Sequence, residues 1–196
     1  MRCNASVWQR MVLVLLLWLL LLPEAALLGF FTIGAVLSSP AGLPHRADVV
    51  VVLGGGEWRY ARGRDLVLAG YADRLVVFEP NDAERKDALV RVPLVEFWDE
   101  VKPPNSWGEA QAVRGWMLAN GWRSALVVSD PPHLLRVGYA WSSNFRGTDL
   151  TYTLVASNPP WWSAWRWWAN PQSARFVENE VLKLGYYVLR YRFGLF

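Results

Sequence analysis

Three short stretches of this chain set residue types capable of chemistry at the ends of apolar runs. The stretch VVSDPPHLLR, residues 127–136, carries His133, one of only two histidines, with Arg136 three residues on. An imidazole exchanges protons near neutral pH, and an arginine on the same helical face can hold an anion. Ser129 or Asp130 is placed to cap the helix that follows, and Pro131 suits its first position, where no N–H is needed. A surface histidine near a helix start fits the same letters. The stretch LGGGEWRYARGR, residues 53–64, puts Gly54, Gly55 and Gly56 after an apolar run, with Arg59, Arg62 and Arg64 crowded behind them. Glycines there let backbone N–H groups approach an anion. The third glycine of a dinucleotide fingerprint is replaced by Arg59, and no lysine completes a P-loop, so a tight turn is the plainer reading. The stretch PPNSWGEAQ, residues 103–111, pairs Ser106 with Glu109 in the spacing of a capping box. With Asn105 as the cap instead, Glu109 is left to face a site.

The elements that must position these residues follow from periodicity and punctuation. The 196 residues are 53% apolar and 19% charged, more apolar than an ordinary soluble domain, and the net charge is only +3. No basic run marks a nucleic-acid surface. Cys3 is the only cysteine, which excludes an intrachain disulfide, and one cysteine with two histidines excludes a Cys/His zinc site.

Much of the apolar excess lies at the N-terminus. Met11 to Leu22 is unbroken apolar sequence, Pro23 and Glu24 interrupt it, and the run resumes to Leu37. Roughly 20 apolar residues span a bilayer. A cleaved signal peptide is the rival reading, but Glu24 spoils the cleavage motif near Ala26. Residues 1–37 are therefore expected to be a cytoplasmic tip and uncleaved anchor, 38–47 a linker, and 48–196 an α/β domain. Arg2 and Arg10 before the span against Arg46 after it favour a cytoplasmic N-terminus and a domain outside the inner membrane.

Beyond the linker, short β-branched runs alternate with helical patterns. Strands are expected at Val49–Leu53, Leu75–Glu79, VPLVEFW, SALVVSD and DLTYTLVAS, and helices at RDLVLAGYA, NDAERKDALV, SWGEAQAVRGWMLANG, PPHLLRVGYAWSSNF and SARFVENEVLKLGYYVLRYRF. Gly70 and Gly121 suit helix stops. That alternation predicts a Rossmann-like parallel sheet of about five strands with helices on both faces. Its ligands bind beyond the carboxyl ends of the strands, which is where the three stretches fall.

The stretches DVVVVLGGG, RDLVLAGYADRLVV, NSWGEA and LVVSDPPHLLRV together resemble the YdcF-like family, a domain family of unknown function, over about Asp48 to Glu180. The family's glycine-rich loop is matched by Gly54, Gly55 and Gly56, and the arginine opening its first helix by Arg64. Its Thr-x-Glu-Asn-Ala helix start is matched by Glu109 and Ala110, and its Thr-Ser-x-x-His-x-x-Arg element by Ser129, His133 and Arg136. The second strand departs from the family, ending in FEPND rather than a Ser-Gly-Gly loop, and Trp107 and Gln111 stand where the family has threonine and asparagine. The resemblance implies a Rossmann-like fold behind an anchor and a role in envelope or cell-wall biogenesis or barrier function. On it, Glu109 and His133 are the catalytic candidates, and Gly54, Gly55, Gly56, Arg64, Ser129 and Arg136 the ligand-binding ones. The partners expected are the membrane and an anionic small molecule or lipid head group. A non-catalytic envelope factor and an S-adenosylmethionine-type binder are the alternatives. No cofactor is identified and no metal is expected.

One further segment stands out. NPPWWSAWRWWANP packs Trp161, Trp162, Trp165, Trp167 and Trp168 together, which suits either packing at the sheet's edge or contact with a bilayer interface.

Overall fold

Val49–Val52 is a run of four valines, and all four are buried, as a strand covered on both faces requires. It lies at the centre of a sheet in the computed structural model, which describes residues 5–98, 103 and 105–193. Arg2, the first arginine of the orientation argument, lies outside the described residues.

By internal contacts the chain forms two units, Met1–Ile33 and Gly34–Phe196. The first is made by helix α1, Ala5–Ser38, which continues into the second unit. Where Pro23 interrupts the apolar run, the helix continues. A proline removes one N–H and crowds the preceding turn, but the remaining bonds of a long helix carry it past. Among the described residues, α1 is the one helix long and apolar enough to cross a membrane.

The second unit is the α/β domain. Strands β1 (Val49–Val52), β2 (Arg74–Phe78), β3 (Leu94–Trp98), β4 (Ser124–Ser129) and β5 (Thr151–Ala156) form one sheet in the order β3-β2-β1-β4-β5, every pair parallel. Between them run α2 (Glu57–Leu68), α3 (Asp82–Arg91), α4 (Ser106–Asn120) and α5 (Leu134–Phe145), with α6 (Pro171–Tyr187) after β5. Strand alternation divides the core in two. Val49, Val51, Val76 and Val127 face α4 and α5 through Val113, Met117, Val137 and Trp141. Val50, Val52, Leu75 and Val77 face α2 and α3 through Leu66, Val67 and Ala88. The expected architecture is thus present.

The chain leaves β1 for β2 on one side and later returns to β4 on the other. The sheet therefore has its topological switch point at the carboxyl ends of β1 and β4, where doubly wound sheets open a crevice.

Two local features differ from the sequence reading. Helix α2 starts at Glu57 rather than near Arg64, on an N-cap, Gly56, that offers no side chain to its first N–H groups. Close helix–strand packing, the task of the third glycine in a dinucleotide fold, falls to Gly63, where a β-carbon would collide with Val52. Gly63→Ala gains about 1 kcal/mol of helix propensity but overpacks at a cost of about 1–3 kcal/mol. A net loss of stability is expected in thermal melts, and its combination with Val52→Ala should be less costly than the two losses added.

Candidate functional site

A cavity of about 470 Å³ opens at the carboxyl edge of the sheet. It is lined from β1 by Gly54 and Gly55, from α4 by Ser106 and Glu109, and from β4 onward by Ser129, His133 and Arg136. Arg59, Glu79, Asn105, Lys183 and Tyr187 complete most of the wall. Parallel strands deliver these groups to one edge, because every strand ends on that side.

His133 sits at the end of a 3-10 turn, Pro131–His133, just before α5. Its Nδ1 lies 2.9 Å from Oε1 of Glu180 on α6. The guanidinium of Arg136 clasps the same carboxylate, Nε donating to Oε2 at 2.7 Å and one terminal nitrogen to Oε1 at 3.1 Å. Its other terminal nitrogen donates to Ser106 Oγ at 2.6 Å. Glu180 is fully buried. Burial alone pushes its carboxyl up, but hydrogen bonds from His133 and Arg136 and the charge of Arg136 outweigh that and hold it at about 2. Burial pushes the His133 imidazole below its ordinary value, and the pull of Glu180 does not reverse this, since the charges of Arg59 and Arg136 oppose it. The site therefore holds an ionised Glu180 and a neutral His133. Only a protonated Nδ1 can bond to a carboxylate, so the proton sits on Nδ1 and Nε2 keeps its lone pair.

Glu109 lines the cavity from the first turn of α4. Asn105 takes the helix cap, its side chain accepting from the N–H groups of Trp107 and Gly108. Of the two readings left open by the sequence, the one that frees Glu109 is realised. Burial pushes the Glu109 carboxyl above its ordinary value, and Glu79 adds to this, against the lowering effect of Arg59, Ser106 and Arg136. The cavity thus holds an imidazole shifted down and a carboxyl shifted up, both chiefly by burial.

Asp130 does not cap the helix after it, because its carboxylate is engaged elsewhere. It accepts from Arg59 Nε at 2.9 Å and from Ser157 Oγ at 2.5 Å. Arg59 also donates to the carbonyl of Gly54, tying the glycine loop to the end of β4. Ser129 is buried, and among the described residues its hydroxyl has no hydrogen-bond partner. Glu79, just past β2, has φ 51°, left-handed backbone that a non-glycine residue adopts at a cost of about 1–2 kcal/mol.

The structure brings together Gly54, Gly55, Glu109, Ser129, His133 and Arg136. Gly56 and Arg64 are not among the lining residues. Arg64 points from α2 to the flank of α3, where it pairs with Asp87 at 3.0 Å and with its neighbour Asp65 at 2.9 Å. Its place in the shared pocket is taken by Arg59, one helical turn and a half earlier. Arg136 lines the cavity, yet all three of its nitrogens are directed at protein side chains, which makes it a positioning residue for Glu180 and Ser106. Sequence reasoning missed Glu180, Glu79 and Asp130. Glu180 lies on a helix rich in charged residues with nothing local to distinguish it. Asp130 was visible beside Ser129, but as a cap. No family model, curated protein or solved structure matches this chain.

Proposed function

We propose that this chain is a membrane-anchored, YdcF-like envelope protein whose strand-edge pocket binds a phosphate-bearing ligand, free or lipid-linked, and moves a proton on it. In this reading α1 holds the domain at the outer face of the inner membrane. The observation that carries the chemistry is the placement of His133, held by the buried Glu180, and of Glu109 in the wall of one cavity, where burial shifts the imidazole down and the carboxyl up. His133 serves as base through Nε2, Glu109 as proton donor, and Glu180 orients the imidazole. Anion binding rests on the Gly54–Gly55 backbone and on the buried Ser129 hydroxyl. Lys183 adds a positive charge at the rim.

The test is phosphorus NMR on the full chain in nanodiscs, with a panel of soluble and lipid-linked phosphate esters. Turnover of one of them is expected. It should drop about 10²–10⁴-fold in His133→Asn while phosphate binding persists, and Ser129→Ala should weaken that binding. Equal activity in His133→Asn would sink the catalytic assignment and leave the non-catalytic envelope factor.

One observation favours a second reading, a nucleoside-type ligand such as S-adenosylmethionine. Glu79 follows β2 beside the glycine loop, its carboxylate 3.4 Å from where a β-carbon on Gly54 would lie. An acid in that place accepts from sugar hydroxyls in dinucleotide folds. Titration with adenosine nucleotides against inorganic phosphate separates the readings. Tighter nucleotide binding that Glu79→Gln abolishes supports the second.

A further inference from the structure

We infer that Trp165, Arg166 and Trp168 form a face that rests on the bilayer at the point where α1 leaves it. The structure divides the tryptophan segment by role. Trp161 stacks on Phe176 of α6 at 4.8 Å, and Phe176 meets the His133 ring edge-on at 5.3 Å. Trp167 is only 7% exposed. These two rings pack the domain. Trp165, by contrast, is 64% exposed and Trp168 38%, with the cation of Arg166 exposed between them in sequence.

Where this segment sits supplies the occupant. Gly34 opens the α/β unit and directly follows the apolar residues of α1. A β-carbon on Gly34 would strike the carbonyl oxygen of Ala164 and come within 2.9 Å of the Trp167 ring. The backbone at Ala164 is therefore seated on the helical turn at Gly34. Trp165 is the next residue, and successive Cα atoms are about 4 Å apart. Ile33 is joined directly to Gly34, so the chain leaves an anchoring bilayer next to the turn that Ala164 touches. Indole is favoured in the head-group layer, where its ring is half-solvated and its N–H stays hydrogen-bonded, and a guanidinium meets lipid phosphate there. Tethering by the span makes contact intramolecular, so two rings and one cation suffice. The same place gives a reason for Gly34: only a residue without a side chain lets Ala164 and Trp167 come this close to the backbone there.

The inference rests on the reading of α1 as a span, and the experiment separates the two. The full chain with Cys3→Ser is reconstituted in phosphatidylcholine–phosphatidylglycerol vesicles. Single cysteines carrying an environment-sensitive fluorophore are placed by Leu17→Cys, Trp165→Cys, Trp168→Cys and Val90→Cys, with circular dichroism matching the parent. Leu17 lies within the apolar run of α1, and Val90, on α3, is 85% exposed. Quenching by lipids bearing a spin label near the head group should be about threefold or more greater at 165 and 168 than at 90. The label at 17 should be quenched by a deep spin label. Quenching at 165 and 168 no greater than at 90, with 17 quenched, overturns the docking face and leaves the anchor standing. No quenching at 17 overturns the anchor and the docking face together. Both tryptophans are exposed, so either position alone decides should the other variant misfold.

Discussion

Replacing Arg136 by alanine is expected to cost the domain about 3–5 kcal/mol of stability, because it strands a buried carboxylate. Glu180 is fully buried, and Arg136 supplies two of its hydrogen bonds and most of its counter-charge. What remains is one bond from a neutral His133 and the Lys183 ammonium at 3.4 Å, on a side chain more than half exposed. Ser106 loses its donor as well. Arg136 therefore acts on function mainly through stability and through the placement of Glu180, and a thermal melt should record a fall of roughly 6–20 °C. Arg136→Lys restores a charge but not the planar fork, so it should recover less than half of the loss. A loss below about 1 kcal/mol would show that Glu180 is satisfied without Arg136.

Acid should unfold this domain in two stages, and Glu180→Gln should remove the lower one. Glu180 is held at about 2 in the folded chain against an ordinary 4.5. A depressed folded value means that its contribution is complete above about pH 4.5 and fades as pH falls towards 2. The depression corresponds to about 3 kcal/mol. His133 acts in the same direction at higher pH. Buried neutral, with a value below its ordinary 6.5, it favours the folded state fully above that pH and progressively less below it. Melting temperatures from pH 8 to pH 2.5 should show Glu180→Gln below the parent by several degrees at neutrality and converging with it at the acid end. His133→Gln should flatten the decline that begins near pH 6.5. Curves for Glu180→Gln and the parent that run parallel throughout would place the acid sensitivity elsewhere.

Much of the architecture was legible because it is local. Valine runs with no polar face read as buried strands, and Gly121 stops α4 in the left-handed region at φ 70°. The apolar run of α1 is a matter of composition. The convergence of the glycine loop, Glu109 and His133 was also legible, since strands joined by helices run parallel and all end on one side. Reading the cap of α4 was a choice between Ser106 and Asn105, and the backbone of Asn105 in the extended region decided it.

Other assignments needed the third dimension. Arg59 and Arg64 stand five residues apart on one helix, and both look fit to meet an anion. Only the packing of α2 on the sheet, set by Gly63 against Val52, turns Arg59 into the crevice and Arg64 out towards Asp87. Glu180 is 44 residues from Arg136. Its burial follows from where α6 crosses the carboxyl edge of the sheet, which no periodicity within α6 expresses. The tryptophans are alike in sequence, and the fold alone sorted Trp161 and Trp167 to packing and Trp165 and Trp168 to the surface. The elements and their order can be read along the chain, because hydrophobic periodicity and turn chemistry act over a few residues. Which charges meet in the crevice was decided by tertiary structure, because ion pairing depends on distance in space, and the sheet brings together residues that the chain keeps far apart.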